Sequence, residues 1–63
     1  MIDKNEVRPL IRLAGGSYHR TVALKQLAAK LGVDRDTVSY WWRQRIIPRW
    51  WLDKVHAIAG ENK

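Results

Sequence analysis

The chain of 63 residues has no cysteine, no phenylalanine, one methionine, two prolines and only six acidic side chains. Without cysteine there is neither a disulfide framework nor a thiolate metal site, which suits a reducing compartment. No apolar run approaches the roughly 18–20 residues of a membrane span, and the opening stretch MIDKNEVR lacks the hydrophobic core of a signal peptide. The expectation is a soluble, unprocessed cytoplasmic protein. With phenylalanine missing, the aromatic mass falls on four tryptophans and two tyrosines. A chain this short buries only about 60% of the surface it exposes when unfolded, so one small domain spanning residues 1–63 must build its core around a few large indoles. No segment alternates in the manner of a strand, and there is no repeat or low-complexity tract.

The scarcity of acid leaves twelve Lys and Arg against six Asp and Glu, a net charge of +6. Such a surplus favours a polyanionic partner, with nucleic acid the first candidate. Its distribution sharpens that expectation, because Arg43, Arg45 and Arg49 fall in a stretch with no acidic residue between Thr37 and Leu52. Catalytic chemistry has little to stand on. His19, His56, Ser17 and Ser39 are scattered, no nucleophile turn is present, and zinc needs three or four protein ligands, so we expect no enzyme, metal or cofactor. Gly15-Gly16 is followed by no Gly-Lys-Ser/Thr and preceded by no strand, so it reads as a helix stop rather than a phosphate loop.

Helical spacing organises the rest. Val7, Leu10, Ile11 and Ala14 recur at i, i+3, i+4, i+7 and predict a first helix ending at Gly15-Gly16, with Asn5 a candidate cap and Pro9 then near the fourth helical position. Ser17 or Thr21 is a candidate cap for a second helix over about Val22–Leu31, whose apolar stripe is Leu24, Leu27, Ala28 and Leu31. Gly32 stops it in the left-handed conformation. After a turn of about three residues, Asp34 stands where it can cap a third helix over about 35–45. On that helix Val38, Trp41, Trp42 and Arg45 share one face, and Asp36, Ser39, Tyr40 and Arg43 share the opposite one. Ile46-Ile47-Pro48 separates it from a fourth helix, with Pro48 expected at N1 and Gly60 as the stop before a frayed Glu61-Asn62-Lys63 tail. Trp51, Val55 and Ile58 form its stripe, flanked by Leu52 and Ala59. Trp41 and Trp51 are expected in the core. Trp42, at the margin of its face, either closes the core against the fourth helix or touches a partner, and Trp50, about 100° around the wheel from Trp51, either marks a self-association surface or is covered by Arg and Lys stems.

The small residue at Ala28, the glycine at Gly32 and the apolar residues Leu27, Leu31, Val33, Val38 and Trp41 together resemble the helix-turn-helix of the bacteriophage Cro and CI repressor family. The run Val38-Ser39-Tyr40-Trp41, with Ile47-Pro48 and Trp51, is similar to small Cro-like and antitoxin-type phage regulators, and the likeness covers roughly residues 20–59. Departures lie at Trp42 and at the doubled Trp50-Trp51. The resemblance implies an all-α, lambda-repressor-like bundle of about four short helices with the motif at about 22–45, and a nucleoid-associated regulator that binds double-stranded DNA. The third helix would enter the major groove and the second would cross the backbone. Carried over residue by residue, Arg35, Asp36, Ser39, Tyr40 and Arg43 would face the bases. An arginine fork on guanine from Arg43 or Arg35 is worth roughly 1–3 kcal/mol of discrimination. Asp36 is equally explained as a first-turn carboxylate at the helix dipole, or one orienting Arg35 or Arg43. Arg20, Thr21 and Lys25, with Arg45 and Arg49 beyond the third helix, would hold phosphates. A homodimer on DNA and no small-molecule ligand or membrane partner are expected. Two rivals fit the composition: a membrane-surface peptide built on the Arg/Trp-rich segment 40–52, and a non-specific nucleoid or RNA-binding protein.

Overall fold

Four α-helices and no strands make up residues 3–61, the part of the chain described by the computed structural model. They are α1 (Lys4–Gly15), α2 (Arg20–Leu31), α3 (Arg35–Gln44) and α4 (Arg49–Glu61). The all-α expectation holds, and the periodic stripes are the faces that meet. Val7, Ile11 and Ala14 of α1, Leu24, Leu27 and Ala28 of α2, Val38, Trp41 and Trp42 of α3, and Val55 and Ala59 of α4 converge on one core with Ile47 from the connection. α1 lies centrally, packed against both α2 and α4, and α3 leans mainly on α2. The outcome is a nearly isometric body of 24 × 24 × 20 Å.

The two indoles of α3 are buried. Trp51 is only half-buried, against the expectation of a core position: it packs on the core's edge, its ring centroid 6.1 Å from that of Trp41. Trp50 is 76% exposed.

Helix ends depart most from the sequence reading. Asp3, not Asn5, caps α1, its carboxylate accepting from the Asn5 N–H at 3.1 Å, and Pro9 falls further inside the helix than expected. Gly16 alone ends α1, at φ 70°. Gly15 is helical and has a packing role, since a Cβ there would stand 2.6 Å from Ala23 Cα and closer still to its carbonyl oxygen. Neither Ser17 nor Thr21 caps α2. Ser17 Oγ accepts from the His19 N–H within the connection, Thr21 is already helical, and His19 occupies the cap position without a side-chain bond. Asp34 holds the cap position of α3 in extended backbone, but its carboxylate accepts no capping bond.

Arg45 is not part of α3 and does not join the buried face. It follows the helix in the left-handed region at φ 56°. Pro48 precedes α4 rather than opening it, and its carbonyl accepts from the N–H groups of Trp51 and Leu52, each at 2.9 Å. Gly60 does not stop α4, which continues to Glu61. The rest of the expected tail, Asn62 and Lys63, lies outside the described residues.

Candidate nucleic-acid interface

α2 ends in a hydrogen-bonded glycine turn that fixes how α3 departs. Gly32, at φ 72°, donates to Ala29 O at 3.3 Å, and Val33 donates to Ala28 O at 3.0 Å. These bonds satisfy last-turn carbonyls that would otherwise be orphaned, and they turn the chain within residues 32–34. Leu31 and Val33 then pack on the core beside the buried Ala28. With Val38, Trp41 and Trp42 drawn inward, the polar side of α3 is the one left facing solvent.

That side meets the N-terminus of α2 across a concave groove lined by Arg20, Thr21 and Leu24 from α2 and by Arg35, Asp36, Ser39, Trp42 and Arg43 from α3. Three arginines and two hydroxyl side chains thus surround a floor that includes an indole and a leucine. The N-termini of both helices open onto the groove and neither carries a side-chain cap, so first-turn N–H groups add positive potential to that of the arginines. Asp36 lies in the first turn of α3, where the dipole favours a carboxylate. Among the described residues it forms no ion pair with Arg35 or Arg43, which favours the dipole explanation over an orienting role.

Of the residues singled out from the sequence, Arg20, Thr21, Arg35, Asp36, Ser39 and Arg43 come together here. Tyr40, Lys25, Arg45 and Arg49 are exposed outside the groove lining. Trp42, a candidate for self-association, is 6% exposed and forms part of the groove floor, so it has no free face to offer a second copy. Two residues that sequence reasoning missed stand behind that floor. The guanidinium groups of Arg8 and Arg12 lie 5.3 and 5.0 Å from the Trp42 ring centroid. Their i, i+4 spacing beside the Val7–Ile11 stripe was the available signal.

Outside the groove, His19 and His56 are exposed, and among the described residues no three His, Asp or Glu side chains are grouped to hold a metal ion. No helix there is long and apolar enough to cross a membrane. The chain matches no protein-family model, no curated protein and no solved structure.

Proposed function

We propose that the protein is a sequence-specific, double-stranded-DNA-binding transcriptional regulator of the phage Cro-like kind, in which α2 and α3 form a helix-turn-helix. The observation that carries this reading is the groove itself. The outward face of α3 and the N-terminus of α2 present Arg20, Arg35 and Arg43 together, as a helix laid in the major groove beside a phosphate backbone requires. On this reading Arg35, Asp36, Ser39, Tyr40 and Arg43 face base edges, and Arg20, Thr21 and Lys25 hold the backbone. Arg45 and Arg49 extend the phosphate contacts past the end of α3. The regulator works in the cytoplasm, on the nucleoid, without a cofactor or small-molecule ligand, and pairs on DNA through Trp50.

The burial of Trp41 and Trp42 in the core argues against a membrane-surface peptide. Of the four indoles only Trp50 is exposed and Trp51 only half so, too little of the Arg/Trp-rich segment to fill a headgroup layer. Selection of duplexes from a random pool, followed by competition against random duplex, tests the proposal. The expected result is a preferred site bound several kcal/mol more tightly than random DNA. Equal affinity for all duplexes would instead make the protein a backbone binder.

A further inference from the structure

The C-terminal ends of α1, α2 and α3 follow one plan, with one exception. After α1 and α2, the N–H of the left-handed residue reaches two carbonyls of the last turn: Gly16 bonds to Arg12 and Leu13, and Gly32 to Ala28 and Ala29. Arg45, in the same position after α3, bonds to Trp41 alone. The Trp42 carbonyl, counterpart of those of Leu13 and Ala29, is therefore left over by the helix's own cap, and a last-turn carbonyl needs a donor from elsewhere. Arg8 on α1 supplies it, its Nε donating to Trp42 O at 3.2 Å. The same guanidinium lies over the Trp42 ring, and its charge sits where a helix C-terminus favours a cation.

We propose that Arg8 completes the cap of α3 from α1 and thereby holds the last turn of α3, and with it Arg43, in register with the groove. Arg8 does not line the groove, so it is a positioning residue that acts through the Trp42 peptide and indole. Lysine does not replace it, because an ammonium cannot lie flat on the indole while donating sideways to the carbonyl. The cap stands on geometry alone. Its consequence for binding rests on the reading of α3 as the DNA-contacting helix.

Two variants, Arg8→Gln and Arg8→Lys, test the inference, the second retaining charge and stem should the first unfold. Amide hydrogen exchange should accelerate at Arg45 and Ile46, whose N–H groups bond to Trp41 O, and stay unchanged at Gly32 and Val33. Affinity for a selected duplex should fall about tenfold with the same salt dependence, because no phosphate contact is lost. The cost of Arg43→Ala should shrink when Arg8 is already Gln, since the two act as a unit. Unchanged exchange at Arg45 and Ile46, strictly additive losses, or a salt slope reduced by about 0.9, the mark of a lost phosphate contact, would each overturn the proposal. A wild-type protein that selects no duplex would sink the DNA reading, and hydrogen exchange alone would then decide the cap.

Discussion

Arg45 is the only non-glycine residue with positive φ among the described residues, in a position filled by glycine after α1 and α2. The left-handed region brings Cβ against the following carbonyl, at a cost of roughly 1–2 kcal/mol. Its side chain is exposed and, among the described residues, makes no hydrogen bond, ion pair or ring contact that offsets this. Arg45→Gly should therefore raise stability by about 0.5–1 kcal/mol in urea unfolding, the relief of strain exceeding the added chain entropy and the lost dipole interaction. On the proposed DNA reading, which gives Arg45 a phosphate contact, the same variant should bind duplex more weakly, with a salt slope smaller by about 0.9. A destabilised variant would mean that the guanidinium contributes more to the last turn of α3 than the strained backbone costs.

At the scale of the element, the stripes were legible because burial follows helical period, and Val7, Ile11, Leu27, Val38 and Val55 are all buried where the wheel puts them. Ends were legible only in part: Gly32 stops α2 in the left-handed conformation where the stripe runs out, as expected, but Gly15 and Gly60 stay helical, because glycine permits a left-handed turn without requiring one. Gly16 and Gly32 turn because Ser17 and Val33 donate back to the carbonyls of Arg12 and Ala28, contacts that no count of apolar residues reveals. Gly15 and Gly60 are both helical, yet their neighbours differ. At Gly60 a Cβ meets nothing within 4 Å, whereas at Gly15 it would overlap the backbone of Ala23. Gly60→Ala should then stabilise by roughly 0.5–1 kcal/mol through helix propensity. Gly15→Ala should destabilise by about 1–3 kcal/mol, because α1 and α2 must move apart. Thermal melting of the two variants checks the opposite signs. A Gly15→Ala protein as stable as wild type would show that the close approach of α1 to α2 is dispensable.

For the whole molecule, the candidate site was legible in part. The wheel of α3 grouped Asp36, Ser39 and Arg43, and the short turn at Gly32 brought Arg20 and Thr21 to them. The role of Trp42 was hidden, because whether an indole at the margin of a stripe faces inward depends on α1, which lies more than 25 residues earlier and supplies Arg8 and Arg12. Trp50 stayed where the wheel placed it, 76% exposed beside the Trp51 ring at 5.6 Å. On the proposed DNA reading a single helix spans few base pairs, so two copies on neighbouring half-sites would be needed for tight binding. Trp50→Ala should leave the melting temperature and single half-site affinity unchanged and abolish cooperative filling of a paired site. Cooperativity that survives would move the contact elsewhere on the surface.

Discrimination by Arg43 tests the central claim most directly. It stands on the outward face of α3, exposed and in the groove that Arg20 and Arg35 share. A guanidinium that reads a base contributes to the preferred site and little to random duplex, whereas one that holds phosphate contributes alike to both. Competition titrations of wild type and Arg43→Ala against the selected and a random duplex, at one fixed salt concentration, separate the two. The preferred site should lose roughly 1–3 kcal/mol and random DNA much less, with the largest loss of preference confined to one base-pair position. Equal losses on both duplexes would contradict base reading by α3 at this residue.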